Sequence, residues 1–289
     1  MPASLVITVL LPLALGAVMF GLGLSLTLDD FRRVARYPRA VLVGLFLQTG
    51  VLPWVAFALA LLFSLPPELA IGLMLLAASP GGATANIYSH LAHGDVALNI
   101  TLTAINSVLC LLTLPVIVNL SLEYFLGAGQ YVPPPVNKIV EVAAIIVLPV
   151  AIGILVRRFA PAFAARMEKP IRLLSMLVLG LLILVAVAQA WSTLLASFAV
   201  VGLACLLFNL ASMGLGYAAP LAIRLPRRQA IAIAMEIGIH NGTLALYIAL
   251  NVLQNVTMSI APAVYSLLMF VTAAGFAWWV NRRPSAASA

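Results

Sequence analysis

The chain has 289 residues, 64% of them hydrophobic and only 8% charged, with a mean hydropathy of +1.16. A soluble domain carries roughly 25% charged residues, so these values describe an integral membrane protein and exclude a soluble globular one. The net charge of +7 is not a nucleic-acid footprint, because the basic residues stand in short clusters between apolar runs.

A spanning helix needs about 20 apolar residues, so the length accommodates about nine or ten spans with their loops. The first is expected over residues 5–26. It lacks a basic n-region and an A-x-A site, so it reads as a span and not as a cleaved signal. The second is expected over 41–63 and contains Gln48, Gly50 and Pro53. The third starts near Glu68, is interrupted at Ser79-Pro80-Gly81-Gly82, and resumes through Ala83-Thr84-Ala85-Asn86 to Leu91. The fourth is expected over 95–124. A connection rich in Gly and Pro follows over 127–135, then the fifth span over 137–156. Residues 159–170 carry mixed charge and are expected to lie at the membrane surface. The sixth span is expected over 171–190 and the seventh over 195–222. The eighth begins near Arg227, breaks near Gly238 and ends near Leu253. The ninth is expected over 259–280, and the small, polar tail after Arg283 is expected to be disordered. Cys110 and Cys205 lie inside apolar runs and read as buried small hydrophobes, with no disulfide or metal role.

Loop charges test this count. With nine spans, 14 of the 15 basic residues fall on one side of the membrane, and only Lys138 on the other. The positive-inside rule then puts the N-terminus outside and the C-terminus in the cytoplasm.

Glu236 is the one acidic residue well inside an apolar run. A carboxylate at that depth costs at least ~2.5 kcal/mol on insertion scales, so its default reading is functional. The competing reading makes it a carboxylate near a helix end, or one paired with Arg227 or Arg228 outside the apolar core. Gly238, Asn241 and Gly242 surround it, as a helix broken in mid-membrane requires. The third and eighth spans are thus both interrupted by glycine, and each break is followed by polar residues. Unwound backbone cannot face lipid, so two breaks most economically meet and line one polar cavity. Corresponding breaks in two halves point to an inverted-repeat transporter. The fifth to ninth spans make one five-helix unit, and the first four a similar unit lacking its first helix. A single break would be read as a packing kink.

Other polar residues gather near the breaks. Asn99, Thr103 and Asn106 fall at i, i+4 and i+7, on one face of the fourth span. Gln48 is the lone strong hydrogen-bonding side chain in the middle of the second. Sodium takes hard oxygen ligands, and Glu236, Asn99, Thr103, Asn86 and Gln48 supply that set. Taken singly, such amides and hydroxyls also serve as glue between helices.

Pro80-Gly81-Gly82-Ala83-Thr84-Ala85-Asn86, Gly94-Asp95-Val96-Ala97-Leu98-Asn99 and Glu236-Ile237-Gly238-Ile239-His240-Asn241 together resemble the bile acid:sodium symporter family. Met19-Phe20-Gly21-Leu22-Gly23-Leu24 fits the same pattern, and the resemblance covers nearly the whole chain. It implies an all-α polytopic membrane protein: an inverted-repeat transporter fold of about nine transmembrane helices, two of them discontinuous and crossing. It implies one transmembrane unit over 1–289, with a core subdomain over about 38–126 and 194–281. A panel subdomain would cover about 4–28 and 135–190. The family has ten-helix bacterial members; this chain looks like the nine-helix form.

The resemblance implies a sodium-coupled symporter that imports an organic anion, such as a bile acid or a small organic acid, by alternating access. It implies one or two sodium ions. The first site resembles Asn86, Asn99, Thr103 and Glu236. The second resembles Gln48, Glu236 and the carbonyls of Ile237 and Ile239, with His240 where the family usually has glutamine. Ala85 and Asn99 stand where bacterial relatives carry serines. Substrate contacts are expected at Gly82, Ala83, Thr84, His240 and Asn241, where half-helix N-termini favour an anion. Leu268-Met269-Phe270-Val271-Thr272 lacks the His-Asn pair of some bacterial relatives. The expected location is a bacterial inner membrane, with the lipid bilayer and the substrate as partners; no nucleic acid and no obligate protein partner are implied.

Two other transport or binding readings remain open at this point: a proton-coupled carrier using His240, and a membrane receptor that binds without transporting. An intramembrane enzyme is not favoured. Glu236 and His240 are spaced i, i+4, but H-E-x-x-H and G-x-S-x-G are both absent. His90 and His93 are expected to be solvated at the cytoplasmic end of the third span.

Overall fold

The computed structural model describes residues 11–82, 84–127, 136–189 and 191–282. Among the described residues the apolar runs are helices, because within a bilayer a segment must satisfy its own backbone N–H and C=O groups. They are α1 (Leu11–Ser25), α2 (Leu28–Arg32), α3 (Pro38–Leu45), α4 (Leu52–Leu62), α5 (Pro67–Ala78), α6 (Ala85–Leu91) and α7 (Val96–Leu126). There follow α8 (Val136–Phe159), α9 (Pro161–Gln189), α10 (Trp191–Ala222), α11 (Arg227–Gly238), α12 (Gly242–Tyr247) and α13 (Ile260–Asn281). The start of the first span, most of the 127–135 connection, Ala83, Ala190 and the tail from Arg283 lie outside the described residues.

Among the described residues, four stretches are long and apolar enough to cross a membrane: Pro38–Leu62, Val96–Leu126, Ala199–Ala222 and Thr257–Asn281. Leu15–Ser25, Pro67–Ala78 and Gly242–Val252 are shorter apolar helices. The outer surface is apolar as well: Leu62 is 74% exposed, Leu112 73% and Val271 72%. In water such a surface would be an aggregation patch; in lipid it is the solvated face.

Three local features differ from the sequence-based expectation. Residues 161–170 do not form a separate surface segment. They are the first turns of α9, which passes through Pro170 without a break. Pro161 suits the first helical position, and buried Ala164 and Ile171 pack with Leu24, fixing these turns to α1 although their charged side is exposed. Secondly, a π turn over Phe46–Val51 joins α3 to α4 just before Pro53, whose missing N–H interrupts the helical ladder there. It contains Gln48. Thirdly, a second π turn over Ile248–Val252 follows α12.

Packing places the broken helices in the middle. α11 lies against α10, α7 and α6, and every residue from Ala230 to Gly238 is buried. α1 packs on α8 and α9. Its contact with α8 is backbone on backbone: a Cβ on Gly23 would strike the Val150 carbonyl, and one on Gly153 the backbone of Gly23. Small residues at such a crossing allow close helix approach where lipid supplies no hydrophobic drive.

One end of the bundle is tied by hydrogen bonds between distant segments. Asp95 N–H donates to Arg228 O at 2.9 Å, and Asn281 Nδ2 to Leu91 O at 2.9 Å. The Arg227 guanidinium donates to Val280 O and, at 3.3 Å, to Tyr217 Oη. These bonds lie at or beside the helix ends whose loops the charge pattern put on one side. His90 and His93 are both exposed at this end, as expected.

Candidate functional site at the crossing of two broken helices

The two breaks meet. Ser79 is extended (φ −75°, ψ 142°), as the residue before a proline prefers, so α5 stops there. Ile239 is also extended (φ −113°, ψ 90°) and ends α11. The freed backbones pair antiparallel as a single bridge between Gly81 and His240. Gly82 N–H donates to Ile239 O at 2.7 Å, and Asn241 N–H to Pro80 O at 2.8 Å. Each break thus satisfies polar groups of the other, away from lipid.

Glu236 sits beside this crossing and has no exposed surface. A Cβ on Gly81 would fall inside its carboxylate. Thr103 Oγ1 donates to Glu236 Oε2 at 2.6 Å, and Asn106 Nδ2 to Oε1 at 3.4 Å. Both donors are neutral. Among the described residues no basic group pairs with Glu236, and Arg227 is engaged elsewhere. Glu236 lies nine residue steps along the helix from Arg227, a rise of about 13 Å. The reading of Glu236 as a peripheral ion pair is therefore set aside.

Asn99 Nδ2 donates to Ala232 O on α11 at 2.8 Å, which turns its Oδ1 the other way. That oxygen is buried without a hydrogen-bond partner among the described residues, and so are Asn106 Oδ1 and Asn86 Oδ1. A buried polar atom left unpaired costs about 1–3 kcal/mol. Three such amide oxygens on α6 and α7, with an uncompensated carboxylate on α11, suit a small hard cation. Ala85 is buried and adds no oxygen.

The second expected set is partly engaged. Gln48 Nε2 donates to Ser79 O at 2.9 Å and to Ala77 O at 3.3 Å, capping carbonyls at the end of α5. Its Oε1 is buried and unpartnered. His240 Nδ1 lies 3.1 Å from Ser79 O. A carbonyl only accepts, so Nδ1 carries the proton there, and in a neutral ring Nε2 is then the acceptor. Nε2 is buried and unpartnered among the described residues. The His240 ring is stacked on Phe208 at 5.7 Å and meets Tyr265 edge-on at 5.4 Å. Ile239 O already accepts from Gly82, and Ile237 is buried at the end of α11.

Of the expected substrate contacts, Gly82, His240 and Asn241 are buried and Thr84 is half-buried; Ala83 lies outside the described residues. Asn241 Oδ1 caps α12 by accepting from Leu244 N–H at 3.1 Å. Thr84 precedes α6 without a side-chain cap bond.

Two residues not singled out from sequence complete the crossing. Asn209 Nδ2 donates to Gly238 O at 2.8 Å, and Tyr265 Oη to the same carbonyl at 2.9 Å. They satisfy an end of α11 that has no helical partner. Asn209 had a legible cue: it is the only amide side chain within α10, as Gln48 is in its span. Tyr265 had none. Tyr265→Phe alone is expected to cost about 1 kcal/mol of stability, since Asn209 still serves the carbonyl. With Asn209→Leu added, the loss should exceed the sum of the single effects, because the carbonyl is then orphaned. Thermal unfolding of both single variants and the double tests this; strictly additive losses would mean the carbonyl is not the shared acceptor.

A model of the Sodium Bile acid symporter family matches residues 12–197, more than half of the chain. The chain is 28% identical over 268 residues to an uncharacterized sodium-dependent transporter, YocS, of Bacillus subtilis, covering 92% of this chain and 78% of the relative. It is 28% identical over 277 residues to a probable chloroplastic sodium/metabolite cotransporter, BASS2, of Oryza sativa, covering 95% and 65%. Over 158 residues it is 28% identical to the ileal sodium/bile acid cotransporter of Oryctolagus cuniculus, covering 55% and 45%. It thus spans most of the bacterial relative but less than two thirds of the plant and animal ones. With paired helix breaks at its centre and an apolar outer surface, the chain is a multi-pass membrane protein that belongs to the sodium bile acid symporter family.

Proposed function

We propose that the protein is a sodium-coupled symporter that carries a small organic anion across the membrane by alternating access. One observation carries the reading: Glu236 is a fully buried carboxylate with neutral donors only, and Asn106, which bonds it, and Asn99, which bonds Ala232 on the same helix, each keep an amide oxygen with no donor among the described residues. A sodium ion held by Glu236, Asn99 and Asn86, with the Thr103 hydroxyl and Asn106 beside it, would neutralise the charge and satisfy those oxygens. The sodium-dependent transporters among the relatives support the choice of ion. The set around Gln48, His240, Ile237 and Ile239 supports a second ion less well, because Ile239 O already accepts from Gly82 N–H and His240 offers a ring nitrogen in place of an oxygen. A neutral imidazole is also a poor ligand for sodium. We therefore propose one sodium ion per cycle.

The proposed topology has nine spans in two inverted units, with the N-terminus outside. α1, α8 and α9 form the panel, and the remaining spans form the core around the crossing. The glycine contact between α1 and α8 supports a panel that moves as a unit. Gly82, Ala83, Thr84, His240 and Asn241 would meet the substrate from the core side, and relative movement of panel and core would uncover them.

A thermal-shift screen of organic anions in sodium and in potassium buffer, followed by uptake of the stabilising anion into proteoliposomes, tests this. A ligand present at 100 times its Kd stabilises by about 2.7 kcal/mol, and the anion's effect should require sodium. Uptake should follow an inward sodium gradient with a Hill slope near one. Equal uptake in potassium would sink the sodium reading. Uptake driven by pH without sodium would point to His240 and a proton, and binding without accumulation to a receptor.

A further inference from the structure

A cavity of about 380 Å³ opens away from the crossing, where α1 and α8 end on the basic side of the bundle. It is lined by Thr27, Leu28, Asp29, Arg32, Ile154, Arg157 and Arg158. Asp29 pairs with Arg32 at 3.3 Å, both well exposed. Among the described residues neither Arg157 nor Arg158 has an ion-pair partner. Among the described residues, the local balance is therefore two guanidinium groups without an ion-pair partner at the mouth of a cavity.

The wall of this cavity is held by residues that do not compete for the same charge. Buried Asp30 accepts from Thr27 N–H at 2.6 Å and from Thr27 Oγ1 at 2.8 Å. It also pairs with Arg33 at 2.6 Å. The turn between α1 and α2 is thus closed by its own carboxylate, and Asp30 adds no free anion to the cavity. Next to the arginines the surface is apolar: Leu155 is 50% exposed, Phe159 76% and Leu28 45%. Arg158 lies 5.5 Å from the Phe159 ring centroid, at the boundary between charge and lipid-facing surface.

We propose that this cavity binds a phosphate anion presented by the headgroup of an acidic membrane lipid, held by Arg157 and Arg158. Guanidinium groups match phosphate oxygens in bidentate geometry. Basic pockets between spans at the cytoplasmic surface are suited to anionic headgroups, with acyl chains on the adjoining apolar face. Positive-inside charge alone asks only for arginines in the loop, not for two of them unpaired at a walled cavity. The site does not depend on the transport reading; it would tie the ends of α1 and α8 to the lipid.

The test uses the full chain, purified in a mild neutral detergent, with its thermal midpoint read during titration. Phosphatidylglycerol, zwitterionic phosphatidylcholine and inorganic phosphate are the three probes. Phosphatidylglycerol should stabilise saturably, and phosphatidylcholine should not. Arg157→Gln with Arg158→Gln should weaken the phosphatidylglycerol response at least about tenfold. Arg36→Gln with Arg39→Gln removes the same charge from exposed positions away from the cavity and should change it less than about twofold. If the pocket double variant does not fold, Arg157→Gln and Arg158→Gln are titrated singly, and the wild-type lipid comparison needs no variant. Equal responses to the two lipids, or equal losses in pocket and control variants, overturn the site. A response to inorganic phosphate as strong as to the lipid would keep the site but overturn the lipid as its source.

Discussion

Glu236→Gln is expected to abolish sodium-driven uptake while leaving a folded protein. The substitution keeps the shape and the acceptor toward Thr103 Oγ1, which donates at 2.6 Å to the native carboxylate. It removes the one negative charge at a site with no exposed surface. Breaking a buried charge pair by removing one partner costs about 3–5 kcal/mol, so sodium affinity should fall by more than about a hundredfold. The same reasoning gives an opposite sign for the sodium-free protein. There the carboxylate is buried without a counter-charge, and neutralising it should leave the thermal midpoint unchanged or higher. Two measurements therefore separate function from folding: uptake under a sodium gradient, and thermal midpoints with and without sodium. A variant that still accumulates substrate in a sodium-dependent way would end the proposal.

Gly81→Ala is expected to be the next most damaging substitution, and for a steric reason. A Cβ at this position would overlap the Glu236 carboxylate. Either Glu236 is displaced from Thr103 and Asn106, or the bridge between Gly81 and His240 opens. Overpacking of this kind costs about 1–3 kcal/mol. Loss of the bridge adds unsatisfied backbone groups within the membrane, which lipid does not repair. The expected result is a lower thermal midpoint and loss of the sodium-induced shift together. Wild-type midpoints and a retained sodium response would show that the two helices can separate there at no cost. Gly180 is a suitable control, since a Cβ there meets nothing within 4 Å; Gly180→Ala should leave both readings near wild type.

Much of this arrangement was legible before the fold was known. Pro80 and the flanking glycines mark a break that the backbone makes for local reasons, and Gly238 marks the other. The need to hide unwound backbone from lipid implies that the breaks meet, and they do. Glu236 stands out because charge inside an apolar run is costly. The periodicity of Asn99, Thr103 and Asn106 placed them on one face, and two of them bond to Glu236. Residues 159–170 were less legible, since mixed charge suits both a surface segment and the exposed side of a helix end. The π turn at Gln48 was not visible in the hydropathy pattern, which reports spans and not the register within them.

The sequence by itself determined the membrane class, the interrupted spans and the identity of the lone deep carboxylate, because each follows from composition or local backbone chemistry. Which oxygens stay free for a cation was decided only by tertiary structure. Asn99 reaches Ala232, and Thr103 reaches Glu236, each across 133 residues of chain. The same holds for His240, whose ring is oriented by Ser79 O from 161 residues away and by Phe208 and Tyr265 on two other helices. Tyr265 became readable only when it was found, with Asn209, on the Gly238 carbonyl. A side chain's periodicity gives the face it occupies; its hydrogen-bond partner is set by which other helix lies against that face. That neighbour is a property of the packed chain.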